Sequence, residues 1–382
     1  MATGASDFAG SSNRFGLDIF RLLARAPGNS VFSPASLSTA LAMAWAGARG
    51  ETAAQMAAAL HLDGAPDAVA VAAGQSAQAA VRDAAPSVLH IANRLFGARR
   101  YPFERAFLEL CTIAFGAALE PVDFADAEAA RLRINAWVED QTRNRIRDVL
   151  AAGSLKPTTR LVLVNALYLL GNWTHPFELR GTRDDMFSIS PHDRKPVPTM
   201  HRTGHVGFAR GHGFSAIELP YEGENLSMIV ALPDQVDGLG ALEQSLTTAG
   251  LDALFTSLQG REVAIALPRF EVSPPGVGLQ SLLTELGMSL PFEPDGADFR
   301  GIADVPDDRL SIAEVFHKAF VRTNEAGTEG AAAALVVMLG RGPPPPKPIA
   351  FTADHPFLFF VIHRPTRLVL FLGRVVDPSA NT

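Results

Sequence analysis

The sequence predicts an α+β fold in which large, mostly antiparallel β-sheets are surrounded by helices. Three observations predict it. Helical spacing dominates the early part of the chain and strand-like runs the late part, without an alternating βαβ series. Leu161 to Leu170 reads Leu-Val-Leu-Val-Asn-Ala-Leu-Tyr-Leu-Leu, almost wholly apolar, as a strand covered on both faces does. Phe357 to Ile362 and Leu368 to Leu372 are two further apolar runs, read as a buried hairpin. No Gly/Ser-rich linker or charge block divides the 382 residues, so one domain spanning 1–382 is expected.

The elements follow in order. Phe8 to Leu23 places Phe15, Ile19, Leu22 and Leu23 on one helical side. Ser33 is a good N-cap and Pro34 suits the first turn of an apolar helix running to about Ala48. Glu51 to Leu60 is a short helix, and Pro66 to Ala85 an alanine-rich one with Arg82 as its only cation. Ser87 to Ala98 reads as a strand, Pro102 to Phe115 as a helix, and Ala127 to Leu150 as a longer helix anchored by Ile134, Trp137, Val138 and Ile146. Its basic cluster, Arg143 to Arg147, reads as the solvated helix end. After the apolar strand come Val206 to Arg210, Ser215 to Pro220 and Leu226 to Leu232 as antiparallel strands. Gly238 to Gln259 holds short helices, Val263 to Ser273 is a strand broken at Pro268, and Leu279 to Leu286 is a helix ending at Gly287. Ser311 to Ala319 reads as a strand.

The totals exclude several functions. A net charge of −7 argues against general nucleic-acid binding. The one cysteine, Cys111, allows no internal disulfide and reads as an inert core residue. Met1 to Asn13 has no cationic segment followed by an apolar core, so no signal peptide is expected, and the chain reads as cytoplasmic if unprocessed. No apolar run reaches membrane-spanning length. Gly-x-Ser-x-Gly, His-Glu-x-x-His and Cys-x-x-Cys are absent, and the ten histidines form no metal-ligand set at helical spacing, so neither an enzyme nor a cofactor is expected.

Glu325 to Pro346 is the unusual stretch. Gly327 to Ala334 is nearly all small residues, Leu335 to Leu339 is apolar and rich in strand formers, Arg341 stands between Gly340 and Gly342, and four prolines follow. So long a loop within one domain calls for a functional explanation. Alternation puts Thr328, Gly330, Ala332, Ala334, Val336 and Met338 on one uncharged face, suited to a tight slot between strands.

Glu325-Ala326-Gly327-Thr328-Glu329, the alanine run that follows, and their position after Ser311 to Ala319 near the C-terminus resemble the reactive-centre loop of the serpins, a family of serine protease inhibitors. Arg133 to Glu139 and Gly171-Asn172-Trp173-Thr174-His175-Pro176-Phe177 resemble further stretches of that family. The resemblance implies a monomeric suicide inhibitor. Glu325, Gly327, Thr328, Glu329, Gly330 and Ala331, Ala332, Ala333, Ala334 would form the hinge. Ser33, Ser36, Asn165 and His317 would form a polar cluster, the shutter, where central strands part; the plainer reading is four satisfied core polar groups. Trp173 and Arg269 would lie at the breach, where insertion begins, with Arg269 facing Glu325. Family spacing puts the reactive bond at Arg341–Gly342, which suits a trypsin-like serine protease, or an arginine-specific cysteine protease. A different register exposes Met338 or Leu339 to chymotrypsin-like or elastase-like enzymes. The alanine-rich helix lacks the basic glycosaminoglycan site that some relatives carry nearby. Gly330 stands where inhibitory members usually have alanine, which leaves a non-inhibitory serpin (chaperone, carrier or plain substrate) as the alternative.

Overall fold

The computed structural model describes residues 3–274, 277–329 and 347–380; for 3–7, 92, 165, 166 and 277 it describes backbone alone. Gly330, Ala331 to Ala334, Met338, Leu339, Arg341, Gly342 and the proline run therefore lie outside the described residues.

The chain opens with α1 (Thr3–Leu23), β1 (Ser30–Phe32), α2 (Pro34–Gly47), α3 (Gly50–Ala59) and α4 (Pro66–Asp83). Ser33 caps α2 as expected, its Oγ accepting from the Ser36 amide at 3.0 Å. Helix α2 is buried nearly all round, because Leu37, Leu41, Ala44 and Trp45 pack against α1, α4 and the late strands. Next come β2 (Val88–Ala98), α5 (Arg105–Phe115), β3 (Leu119–Val122), α6 (Ala127–Gln141) and β4 (Leu161–Asn172). The middle holds β5 (Arg183–Ser190), β6 (Asp193–Arg210), β7 (Phe214–Pro220), β8 (Leu226–Pro233), α7 (Leu239–Ser245), α8 (Thr248–Ser257), β9 (Gln259–Pro268), β10 (Phe270–Val272), β11 (Val277–Gly278) and α9 (Gln280–Glu285). The end holds β12 (Phe316–His317), β13 (Val321–Thr323), β14 (Gly327–Thr328), β15 (Ile349–Thr352), β16 (Phe357–His363) and β17 (Leu368–Val375).

Two large sheets form the body. One runs β1-β17-β16-β8-β7-β6-β9-β15, with β5 on β6; the other runs β10-β13-β14-β4-β2-β3. Pairing is antiparallel except β15 with β9 and β2 with β3, so the α+β expectation holds. Leu167, Leu169, Met228, Val230, Phe270, Phe357 and Phe359 fill the space between the sheets. On the far face of the second sheet, α6 sets Ile134, Trp137 and Val138 against Phe96 and Val164. Strand β4 is thus covered on both faces, which is why its sequence is so apolar. Cys111 is buried, and burial pushes its thiol up to about 12.

Three expectations need correction. Helix α6 stops at Gln141, not Leu150. Arg143 and Asn144 adopt left-handed backbone (φ 50° and 62°), and the chain doubles back, pinned by the Asn135 side chain, which bonds both the amide and the carbonyl of Leu150 at 2.9 Å. Arg143 to Arg147 therefore cross the sheet as a loop rather than end a helix. Strand β6 begins at Asp193, not Val206, and pairs with an unforeseen β5. Both carry charges on an exposed face, and β6 adds Pro196 and Pro198, which hides the alternation. Of Ser311 to Ala319 only Phe316–His317 is strand, paired with β11. On its other side it pairs with no described strand.

Candidate functional site

Strand β4 pairs with β2 along one edge from Leu161 to Leu170. Its other edge meets a described strand only at the top, where Gly327 lies opposite Asn172 and Thr328 opposite Gly171. Below that point is a cleft of about 120 Å³. Leu161 to Val164 form one wall, Ser311 to Lys318 the other, and Ser36, Leu37 and Leu41 of α2 the floor. A strand edge that meets no described strand is a candidate site for another strand.

The head of the cleft is closed by β14, which belongs to the expected hinge. Strand β14 is two residues long and lies between β13 and β4, with Thr328 opposite Gly171 on one side and Thr323 on the other. Gly327 has φ +152°, and a Cβ there would sit 1.9 Å from the Gly171 carbonyl oxygen. Only glycine passes so close to a neighbouring strand. Thr328 is 2% exposed, and its Oγ1 is 2.6 Å from the Tyr221 hydroxyl. The Tyr221 ring stacks on Trp173 at 4.7 Å, and Gly171 leaves room for it, since a Cβ would come within 2.7 Å of Tyr221 Cδ1.

Trp173 joins the hinge to β4. Its indole N–H donates to the Asn324 carbonyl at 3.0 Å and its amide to the Ala326 carbonyl at 2.7 Å. Arg269 Nε donates to Glu325 Oε1 at 2.8 Å, and Thr182 Oγ1 donates to the same oxygen. Burial alone would raise the Glu325 pKa, but the bonds from Arg269 and Thr182 outweigh it and hold the carboxyl below its usual range. Glu329, the residue after β14, has φ +57° and a side chain 4% exposed. Tyr168 donates to its carboxylate at 2.9 Å, and Arg145 to the same oxygen at 3.1 Å.

Ser33, Ser36 and His317 meet below the hinge. The Ser33 amide donates to His317 Nε2 at 3.0 Å, and the ring sits edge-on to Phe32. Ser36 and His317 both line the cleft. Desolvation of the partly buried ring pushes the His317 pKa down to about 4, so the ring is neutral and its Nε2 is free to accept. The backbone of Asn165 lies in β4 opposite Asn93, while its side chain lies outside the described residues. Sequence reasoning missed Tyr221, Tyr168 and Arg145. Two of the chain's three tyrosines touch the hinge, and that scarcity was the one available signal.

A family model described as Serpin (serine protease inhibitor) matches residues 10–378. The chain belongs to the serpin family. A leukocyte elastase inhibitor of Bos taurus is 40% identical to this serpin over 381 residues, covering 96% of this chain and 98% of that one. Serpin B6 of Pongo abelii is 38% identical, covering 97% and 99%. Among solved structures, Cleaved Serpin 42Da superposes with a TM-score of 0.89 at 34% identity over the whole of both chains. Uncleaved ovalbumin gives 0.84 at 30% identity, covering 97% and 100%. Serpins are inhibitors of proteases and not enzymes, so the family accounts for the missing catalytic motifs.

Proposed function

We propose that this serpin is a suicide inhibitor of trypsin-like serine proteases, cleaved at Arg341–Gly342 and closed by insertion of its own loop into the cleft beside β4. The observation that carries the reading is β14, a two-residue strand docked at the head of a β4 edge that meets no other described strand. Extended at the same register, the loop would run Gly330 opposite Leu169, Ala332 opposite Leu167, Ala334 opposite Asn165, Val336 opposite Leu163 and Met338 opposite Leu161. Met338 then meets the first residue of β4, so the small-residue face fits the available edge. Residues 329–338 extended span about 33 Å, which carries the reactive bond to the opposite end of the sheet.

The chemistry follows from that movement. The protease serine attacks the Arg341 carbonyl, the Arg341–Gly342 amide breaks, and the Gly342 amine leaves with a proton. The Arg341 acyl group stays on the serine as an ester. The segment from Glu329 is then free at one end and pairs with β4 before water reaches the ester, and the attached protease is dragged down the sheet. The hinge residues 325 to 334, the loop bounds 325–348 and the roles of Ser33, Ser36, Asn165, Trp173, Arg269 and His317 belong to this proposal. Arg341 selects trypsin-like enzymes because a buried guanidinium requires a carboxylate in the protease pocket. The relatives named as leukocyte elastase inhibitors favour a second reading, in which Met338 or Leu339 occupies that pocket.

Trypsin mixed with the chain tests both. A covalent complex that survives boiling in detergent, with a released fragment beginning at Gly342, is the expected result. A complex formed only with elastase, its fragment beginning at Leu339 or Gly340, would replace Arg341 as the bait. Cleavage with no complex under either enzyme would leave a substrate rather than an inhibitor.

A further inference from the structure

We infer that Glu329, Arg145 and Tyr168 form a latch that holds the hinge at its two-residue depth and sets the rate at which the loop inserts. The inference rests on the proposed insertion and adds the contact that resists it. Glu329 is where the chain departs from the strand. Its amide still bonds to the Arg322 carbonyl at 3.2 Å, but its φ of +57° is a left-handed conformation uncommon for glutamate and incompatible with a continuing strand. Something must hold it there, and the side chain supplies it. The carboxylate lies under the loop after α6, with Arg145 Nε 2.9 Å from Oε1 and 3.1 Å from Oε2, and the Tyr168 hydroxyl bonded to Oε2. Arg145 also lies over the Phe320 ring, and Arg143 over Tyr168.

The latch spans the cleft. Tyr168 belongs to β4, Phe320 to the segment opposite, and Arg145 to the loop between them. Lys318 ties the same loop to the far wall by donating to the Arg147 carbonyl at 2.9 Å. Continuing β14 by three residues brings Ala331 opposite Tyr168, beneath this loop. Insertion therefore requires Glu329 to become extended and Arg145 to let go. The latch exists in the docked hinge only. Removing it raises the docked state and leaves both the expelled hinge and the insertion transition state unchanged. Whichever ground state results, the remaining climb is shorter, so insertion speeds up. Oε1 is buried without an aligned donor among the described residues, so the docked state is imperfectly satisfied.

Charge reversal separates this role from a general loss of structure. Arg145→Glu and Glu329→Arg should each raise amide exchange at Thr328 and Glu329 in the uncleaved chain about tenfold or more. Each should also raise the rate of stable trypsin trapping by a similar factor. The double swap restores the pair, with Tyr168 accepting instead of donating, and should return both rates toward wild type. Unchanged exchange and trapping in Arg145→Glu, or a double swap no slower than either single change, would overturn the latch. If wild-type chain never traps trypsin, the proposed function fails, while the exchange rates still decide the latch.

Discussion

At the scale of single residues, two desolvated titrating groups make acid the weak side of this molecule. His317 is held neutral with a pKa near 4 against an ordinary 6.5. Its folded value lies below its unfolded one, so the unfolded chain takes up the proton first. Stability is full above about pH 6.5 and drains as pH falls toward 4. Glu325 is lowered from its ordinary 4.5, so its contribution is present above that value and is lost as pH drops through the folded pKa. Melting temperature followed from pH 7 to pH 4 should fall, and His317→Gln should flatten the part of the fall between 6.5 and 4. An equally steep fall in His317→Gln would remove His317 from the cause. Arg269→Ala leaves the nearly buried Glu325 carboxylate with Thr182 alone and should cost about 1–2 kcal/mol in urea unfolding, because Arg269 itself is partly exposed. Ser33, His317, Trp173, Arg269 and Glu325 were singled out in the sequence because their stretches resemble those of the family, and the structure pairs Ser33 with His317 and Arg269 with Glu325. Arg145 was not singled out. Its partner is 184 residues away, and nothing in Arg143 to Arg147 distinguishes one arginine from its neighbours.

At the scale of elements, the proposed mechanism makes β14 decide whether the loop can move. Thr328 is enclosed by Tyr221 and Gly171, with no space for a longer side chain. Thr328→Arg would set an unpaired cation under Tyr221, so the hinge should fail to dock. Gel analysis with trypsin should then give cleaved chain with at least tenfold less complex than wild type; an undiminished yield would mean that docking of Thr328 is not required. Gly330→Ala acts in the opposite direction. Alanine orders a strand by about 0.5–1 kcal/mol relative to glycine, so two- to five-fold less chain should be consumed per protease trapped. Most elements were readable from periodicity and capping. The failures have a common cause: a partner outside the local stretch. The end of α6 is dictated by Asn135 reaching Leu150, and β5 with the early part of β6 stabilise each other through a ladder that charged and proline-rich sequence conceals. Ser311 to Ala319 has strand chemistry, yet beyond Phe316–His317 it pairs with no described strand.

At the scale of the molecule, most of one β4 edge meets no described strand of the sheet β10-β13-β14-β4-β2-β3, and the proposed function has the loop segment complete it. That relation was visible in the sequence as composition: small residues on one face, no internal proline and an alternating pattern. The depth to which the hinge is already seated was not visible, since it depends on Gly171, Tyr221 and Thr328 converging from distant positions. Hydrogen exchange along Leu161 to Leu170 tests the central claim most directly. In this stretch alternate backbone amides point to β2 and to the cleft. In the intact chain the cleft-facing set should exchange freely while the β2-facing set is protected. After cleavage at Arg341–Gly342 the cleft-facing set should become as protected as its neighbours, by at least a hundredfold, as far down as Leu161. Cleavage that leaves those amides exchanging at the intact rate would contradict insertion and with it the inhibitory mechanism.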